Sequence, residues 1–281
     1  MTDLLRFLSP DLHSDTTVFV TGGGSGINLG IARAFAATGA KISICGRTES
    51  KLAAAADELR FLGAEVMHSV ADVRDHDALT RALDQTAESL GPVTTVIAGA
   101  AGNFNAPAER ISANGFKTVV DIDLLGSFNT AHAAFDQLRA TAGSILFVTA
   151  GQSYAPTANQ AHAGAAKAGI ENLMRNLALE WGKYGIRANS IVPGPIAETE
   201  GLARLSAEVG IDTWRQAVAL GRFGTTEDIG AMALVLTSPL GNYVTGCQLI
   251  VDGGFGLAGF GMLHRAWLDN QASATATGAP S

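Results

Sequence analysis

Lys167 is the residue of this sequence whose setting first suggests chemistry. It stands near the start of a helical pattern, HAGAAKAGIENLMRNLALEWG, at residues 162–182. Its immediate neighbours are alanine and glycine, and the apolar face of the pattern continues through Ile170, Leu173 and Met174. A working partner for the ammonium group must therefore come from another part of the chain, and the elements that would bring it there have to be identified.

A glycine-rich turn, TGGGSGIN at residues 21–28, predicts a phosphate-binding site. It follows the first β-rich run and opens the first helical pattern, so its glycines let the backbone approach a pyrophosphate at a helix N-terminus. Asn28 stands where a third glycine is usual, and asparagine tolerates a left-handed backbone well.

Arg47 follows the second β-rich run, where a fold that holds NAD usually has an acidic residue. An arginine fork suits a 2′-phosphate instead, so the sequence favours NADP(H). After the third run, the stretch ADVRD places Asp72 and Val73 where an adenine would lie, with Arg74 beside them.

Short apolar runs alternate with helical patterns along most of the chain. The predicted strands are 16–21, 40–46, 64–70, 93–100, 144–150, 186–192 and 247–254, and helical patterns cover 27–38, 50–62, 75–90 and 112–138. Runs that are apolar almost throughout are typical of strands buried on both faces. The order predicts an α/β fold with a doubly wound sheet of seven parallel strands.

We expect a single domain at residues 16–260, preceded by an N-terminal extension at 1–15. The mostly helical insertion at 197–223, between the sixth and seventh strands, is interpreted as a small lid over a cleft. Residues 261–281 end in small and polar side chains and are expected to be a partly disordered tail.

Composition excludes several classes of function. The net charge is −7 and no run of lysine or arginine occurs, which argues against nucleic-acid binding. No apolar run reaches the roughly 18 residues of a membrane span, and two cysteines far apart suggest a reducing compartment, so we expect a cytoplasmic protein. Hydrophobic residues make up 47% and charged residues only 16%, which favours a homo-oligomer.

The glycine turn, ADVRD, PGPI at residues 193–196 and the closing VDGG together resemble the short-chain dehydrogenase/reductase family, over about residues 16–254. The resemblance implies a Rossmann-type domain, a nicotinamide cofactor and a homotetramer. In this family a lysine at the position of Lys167 binds the nicotinamide ribose and acts with a tyrosine one turn earlier. Here that tyrosine position holds Ala163, the catalytic serine position holds Ala150, and Asp123 replaces the usual asparagine.

One branch of the family fits these departures. The stretches AAGNF, FKTVVDID, HAGAAKAG and PGPIAETEGLARL look like the NADPH-dependent 2,4-dienoyl-CoA reductases of the peroxisomal type, which also lack the tyrosine. The resemblance implies that Asp123 and Lys167 are catalytic, and it implies substrate contacts at Phe104, Ser112, Asn114, Arg74 and Arg204. The cofactor residues it implies are Gly22, Gly24, Ser25, Gly26, Ile27, Arg47, Asp72, Val73, Lys167, Pro193, Gly194, Ile196 and Thr199.

The chemistry of a conjugated thioester is compatible with the missing tyrosine. Ketone reduction needs an acid beside the new alkoxide, whereas hydride addition to a dienoyl thioester gives a delocalised dienolate that water can protonate at carbon. We therefore expect Asp123 to orient or protonate a water that Lys167 also holds. Two alternatives stay open: a carbonyl or alcohol oxidoreductase that uses Tyr154 as the acid, and a non-catalytic NADP-binding protein. His162, beside the vacant tyrosine position, is a further candidate.

Overall fold

The computed structural model describes residues 7–206 and 210–260. Within this part of the chain, one parallel sheet has seven strands in the order β3-β2-β1-β4-β5-β6-β7. The strands are β1 (Thr17–Thr21), β2 (Lys41–Gly46), β3 (Val66–Val70), β4 (Thr95–Ala98), β5 (Ser144–Val148), β6 (Arg187–Pro193) and β7 (Gln248–Val251). The predicted α/β class, strand number and parallel direction are confirmed, and most strands are shorter than their apolar runs.

Helices cover both faces of the sheet. They are α1 (Gly26–Ala36), α2 (Glu49–Phe61), α3 (His76–Leu90), α4 (Ala113–Val120), α5 (Gly126–Thr141), α6 (Ala161–Trp181), α7 (Glu200–Ser206), α8 (Ile211–Gln216) and α9 (Thr226–Thr237). One apolar cluster joins α1, α2 and α9 to the sheet, and a second joins α3, α5 and α6 to the opposite face.

Strand burial follows position in the sheet. Every residue of the central strands β1 and β5 is buried, whereas the edge strands β3 and β7 are only partly covered. This is why the central runs are apolar almost without interruption.

Helices α1 and α9 approach each other closely. A Cβ atom on Gly30 of α1 would lie 2.2 Å from the Thr226 Cβ atom of α9.

The strand order reverses between β1 and β4, which pair with each other and with strands on opposite sides. All strands are parallel, so their carboxyl ends meet at one edge. In open α/β sheets a crevice forms outside the carboxyl ends at such a reversal, and ligands bind there.

The helical pattern at 112–138 forms one continuous helical run with an irregular centre. Helix α4 passes into a π-helical turn at Asp121–Leu125 and then into α5 without leaving helical backbone geometry. A π turn carries an extra residue per turn and is frequent at functional sites. Asp123 lies inside this turn and is 1% exposed.

The predicted extension and lid both contact the domain where they are described. His13 is buried against Phe35, and its Nδ1 atom lies 3.1 Å from the Thr38 hydroxyl. The lid contains α7 and α8, and residues 207–209 lie outside the described part, as do the predicted tail at 261–281 and residues 1–6. Among the described helices, none has the length and apolar character needed to cross a membrane.

Candidate active site

A cavity of about 1250 Å³ opens at the carboxyl edge of the sheet. It is lined by the glycine turn, the ends of β2 and β3, the loop after β4, the π turn, the loop after β5, α6, the segment after β6 and the lid. Most of the residues predicted to bind cofactor therefore face one space, at the strand-order reversal.

The glycine turn fits a pyrophosphate. Gly22 and Gly26 have φ angles of +69° and +58°, a region that residues with side chains rarely adopt. Helix α1 begins at Gly26, and the Ser25 side chain makes no capping hydrogen bond to it. The first N–H groups of α1 thus keep their capacity to bind an anion in the cavity, which Gly22, Gly24, Ser25 and Ile27 also line.

Asn28 holds the glycine turn against the end of β4. Its Nδ2 group donates to the carbonyl oxygens of Gly99 at 2.8 Å and Gly22 at 3.4 Å. A Cβ atom on Gly99 would lie 2.1 Å from the Asn28 Oδ1 atom, so residue 99 has no room for a side chain. Asn28 therefore bridges two backbone segments through its side chain. The sequence analysis considered only its tolerance of a left-handed backbone and did not predict this role.

Two cations line the cavity beyond the glycine turn. Arg47 follows β2, and Lys51 lies in the first turn of α2. The sequence predicted the arginine, whereas Lys51 emerges only from the fold. Asp72 and Val73 line the cavity beside them, and hydrogen bonding from Arg74 lowers the pKa of Asp72. The side-chain amines and guanidinium groups here make the cavity wall suitable for a phosphate ester.

Asp123 and Lys167 form a buried ion pair. The Lys167 Nζ atom lies 3.1 Å from Asp123 Oδ2, with the lysine 7% and the aspartate 1% exposed. Asp123 Oδ1 accepts a hydrogen bond from the Gly102 N–H at 2.7 Å, and Lys167 also donates to the Val148 carbonyl at 3.3 Å. Both residues line the cavity. This carboxylate is the partner that the isolated lysine required.

The two vacant hydroxyl positions lie beside the ion pair. Ala163 on α6 and Ala150 after β5 both line the cavity. Neither methyl group can donate a proton, and the charged groups next to them are the Asp123 carboxylate and the Lys167 ammonium group.

Glu171, one helical turn after Lys167, is a buried residue that the sequence did not single out. It is 3% exposed and accepts hydrogen bonds from the hydroxyl groups of Thr149 at 2.5 Å and Ser190 at 2.7 Å. Thr149 directly follows Val148, whose carbonyl binds Lys167. Successive turns of α6 therefore hold successive residues at the end of β5, which fixes the backbone beneath the ion pair.

Tyr154 and His162 are placed differently from the ion pair. Tyr154 lines the cavity, where burial and the nearby Asp252, with which it shares a hydrogen bond, raise the pKa of its phenol. His162 is 0% exposed, its ring centroid lies 4.2 Å from that of Phe104, and burial lowers its pKa. The imidazole is outside the residues that line the cavity.

The segment after β6 supplies the other predicted cofactor residues. A Cβ atom on Gly194 would lie 2.6 Å from the Asp252 Cα atom, so the backbone passes this point at close range. The Thr199 hydroxyl donates to the Ile196 carbonyl at 2.8 Å and caps the Leu202 N–H at 3.2 Å. Pro193, Gly194, Ile196 and Thr199 all line the cavity.

Among the predicted substrate residues, Arg204 of α7 lines the cavity and donates to the Asn103 carbonyl at 2.6 Å. The others are placed around it. Ser112 caps α4 by accepting from the Gly115 N–H, Asn114 lies in the first turn of that helix, and the guanidinium group of Arg74 binds Asp72. Phe104, Ser112, Asn114 and Arg74 do not line the cavity, and their contacts with substrate stay a prediction.

No group of three or more histidine, cysteine, aspartate or glutamate side chains in residues 7–206 and 210–260 is placed to hold a metal ion. The polar groups described for the cavity are those of the protein itself.

Comparison with known proteins agrees with this arrangement. A sequence model of a family described as enoyl-(acyl carrier protein) reductase matches residues 22–256. The peroxisomal 2,4-dienoyl-CoA reductase SPS19 of Saccharomyces cerevisiae, described as producing (3E)-enoyl-CoA, is 43% identical over 249 residues. That alignment covers 87% of this chain and 85% of the yeast protein.

Solved structures share the fold. A short chain dehydrogenase from Bacillus anthracis has a TM-score of 0.78 and 36% identity, covering 86% of this chain and 97% of that one. An NADPH-bound short chain oxidoreductase from Pseudomonas aeruginosa PAO1, described as containing an atypical catalytic center, has a TM-score of 0.80 and 27% identity. It covers 86% of this chain and 97% of that one.

Proposed function

The chain belongs to the short-chain dehydrogenase/reductase family, and we propose that it reduces a 2,4-dienoyl-CoA to an enoyl-CoA with a nicotinamide cofactor. The observation that carries this proposal is the Asp123–Lys167 ion pair, at 3.1 Å, beside alanines at the two positions where the family has its hydroxyl acids. The yeast relative, at 43% identity, is named for the same reaction.

The nicotinamide, when bound, supplies the hydride. Hydride addition to the conjugated chain places negative charge on the thioester oxygen and along the dienolate, where an ammonium group stabilises it. Lys167 is held for this role because its Nζ atom is fixed between Asp123 and the Val148 carbonyl.

Asp123 acts as an acceptor that orients the donors around it. One carboxylate oxygen accepts a hydrogen bond from the Gly102 N–H, and the other lies against the Lys167 ammonium group, so both oxygens are engaged with donors. We propose that a water bound by both Asp123 and Lys167 delivers the proton to carbon, and that the hydroxide left behind takes a proton from solvent. This protonation can follow hydride transfer, because the delocalised charge does not require a proton at oxygen in the same event.

NADPH is the proposed form of the cofactor, with Arg47 and Lys51 binding its 2′-phosphate. Both side chains line the cavity at the end of β2 and the start of α2. Arg47→Gln is expected to weaken selection for NADPH over NADH by about 10- to 100-fold, the usual size of a charge-assisted contact to phosphate. The ratio of kcat/KM for the two cofactors measures this, and an unchanged ratio would assign the selection to other residues.

The assay that tests the reaction is NADPH oxidation with 2,4-hexadienoyl-CoA, run beside a matched 3-oxoacyl-CoA. We expect turnover of the dienoyl substrate, loss of most of that turnover in Asp123→Asn, and near-normal turnover in Tyr154→Phe. The tyrosine is expected to matter little because its hydroxyl is engaged with Asp252.

Two other outcomes would favour the alternatives. Turnover of only the 3-oxoacyl-CoA, abolished in Tyr154→Phe, would establish a carbonyl reductase. Tight NADPH binding without turnover of either thioester would favour a non-catalytic NADP-binding protein.

Assembly and location are part of the proposal. Apolar side chains stay exposed along α4, the π turn, α5 and α6, and we propose that this face joins the subunits of a tetramer; the side chains are Phe116, Leu125, Phe128 and Leu179. Light scattering on the purified protein tests the subunit number.

We also propose a cytoplasmic location, supported by the unpaired Cys45 and Cys247, whereas the yeast relative is named as peroxisomal. Imaging of the tagged protein in its own cells distinguishes the two.

A further inference from the structure

Two aromatic rings meet across the cavity wall. Trp214 of α8 and Phe255, which follows β7, are stacked with ring centroids 5.5 Å apart and an interplanar angle of 13°. Both side chains line the cavity. One ring belongs to the lid and the other to the body of the domain, so the stack closes the space between them.

The backbone around Phe255 is tightly held. Gly253 and Gly254 have φ angles of +62° and +83°, and Cβ atoms on them would lie 2.8 Å from Val218 Cγ1 and 2.7 Å from Ala219 Cβ. The Gly253 carbonyl also accepts from the Leu220 N–H at 3.0 Å. The carboxylate of Asp252 accepts from two N–H groups of the same turn, at 2.8 and 2.7 Å. The segment that carries Phe255 is therefore fixed against the residues that follow α8.

The charges in the cavity indicate which part of a thioester reaches this wall. The cationic side chains among its described lining residues are Arg47, Lys51, Lys167 and Arg204. Lys51 and Lys167 are paired with the carboxylates of Glu200 and Asp123. Beside Trp214 and Phe255 the lining includes Asp252 and the phenol of Tyr154. Arg47 and Lys51 are assigned to the cofactor and Lys167 to the thioester oxygen, so Arg204 is the lining cation that remains for a coenzyme A phosphate. The uncharged acyl chain is then left for the aromatic wall.

We propose that the Trp214–Phe255 stack is the end wall of the acyl pocket and sets the length of acyl chain that the protein accepts. This inference rests on the proposed function, because it takes the substrate to be an acyl thioester. Each methylene that is buried before the chain reaches the stack adds about fourfold in affinity. A chain that exceeds the pocket must displace the stacked rings, and its affinity falls.

The experiment measures chain-length profiles in two ways. The first is kcat/KM with 2,4-dienoyl-CoAs of 6, 10 and 14 carbons, roughly four carbons apart so that the expected steps are large. The second is the Kd of saturated acyl-CoAs of the same lengths, measured by calorimetry in the presence of NADP⁺. These saturated ligands cannot be reduced, so their binding reports on the pocket without depending on the reaction.

The variants are Trp214→Ala and Phe255→Ala, with Trp214→Phe as the conservative change. The alanine variants are expected to shift preference toward the longer chain by at least about tenfold, since several methylenes gain space. Trp214→Phe keeps a ring against Phe255 and is expected to stay close to the parent profile. Tyr243→Ala removes a fully exposed aromatic residue and serves as the matched control.

The outcomes separate this inference from the proposed function. A shifted Kd profile without dienoyl turnover in any variant would support the end wall and overturn the proposed reaction. Turnover in which the alanine variants change all chain lengths by the same factor would overturn the end wall and leave the reaction intact. Failure of every acyl-CoA to bind would overturn the inference. Thermal melting identifies a variant that is unfolded, and the Phe255 variant then provides the test at the other ring.

Discussion

The floor of the cavity and its lid differ in how their charged side chains are held. The floor is formed by Asp123 and Lys167, with Glu171 behind them, and these residues are between 1% and 7% exposed. Each is held by at least two groups of the domain. The lid at 197–223 packs Leu202 and Val218 into the domain, but its ion pair across the cavity, Lys51–Glu200, has side chains 51% and 69% exposed. The charged groups of the floor are thus buried and fixed, whereas the ion pair of the lid is one that water can replace.

The difference has an energetic consequence. A buried charge that loses its partner is strongly destabilising, whereas exposed ion pairs contribute little and are screened by salt. Substitutions in the floor should therefore change both turnover and folding, and substitutions in the lid should change ligand exchange while the fold stays intact.

The largest expected effect comes from Lys167→Met. We expect kcat to fall by about 100- to 1000-fold, since the cation beside the developing charge is removed. Asp123 would also be left buried without its ion-pair partner, which should lower the free energy of unfolding by about 3–5 kcal/mol. Steady-state kinetics and urea unfolding measure the two effects separately. Lys183→Met, in the exposed segment after α6, is the control and should change neither quantity appreciably.

A double variant divides the two roles of the ion pair. Asp123→Asn combined with Lys167→Met removes both buried charges, so much of the stability should return while activity stays lost. If activity returned with stability, the ion pair would be needed for folding alone. Asp123 and Lys167 would then have no direct part in the reaction.

Glu171→Gln is expected to have a smaller effect, because Glu171 acts through the backbone beneath Lys167. We expect kcat to fall by about tenfold, the scale of one charge-assisted hydrogen bond, with the KM for NADPH nearly unchanged. Thr149→Val should resemble it, and the double variant should be little worse than either single one since both changes break the same contact. Glu180→Gln, on the exposed surface of α6, is the matched control. Additive losses would show that the two side chains act independently.

Features that depend on local composition or on a place next to a strand could be predicted from the sequence. Alternating apolar runs predict the sheet because burial in a parallel sheet determines composition directly. The glycine turn and Arg47 directly follow strands, so their places at the carboxyl edge of the sheet could be predicted from the sequence, whereas the role of Lys167 came through family resemblance. The identification of Asp123 came through family resemblance, since nothing local distinguishes that aspartate from a helix-surface residue.

Other features depend on contacts between residues far apart in the chain. The π turn at Asp121–Leu125 leaves the apolar pattern of the helix almost unchanged, so periodicity predicted one helix from Ser112 to Leu138. The Trp214–Phe255 stack joins residues 41 positions apart, and the Lys51–Glu200 pair joins residues separated by 149 positions. Such pairs become visible only when the chain is folded, because each member has an ordinary local sequence.

The smallest expected effect lies in the lid, at Glu200→Gln. Lys51 lowers the pKa of the Glu200 carboxyl group, and the pair joins α2 to α7 across the cavity that we assign to the cofactor. Loss of the pair leaves Lys51 free for the 2′-phosphate that we assign to it, so NADPH release should slow by about two- to fivefold at low salt, as expected for an exposed ion pair. Stopped-flow fluorescence of bound NADPH measures the rate. The difference should vanish at about 1 M salt, where charges are screened beyond about 3 Å. Glu198→Gln, a nearby lid carboxylate, controls for net charge. An effect that survived high salt would indicate that Glu200 acts by packing against the cofactor and not by its charge, and this part of the lid would then resemble the floor.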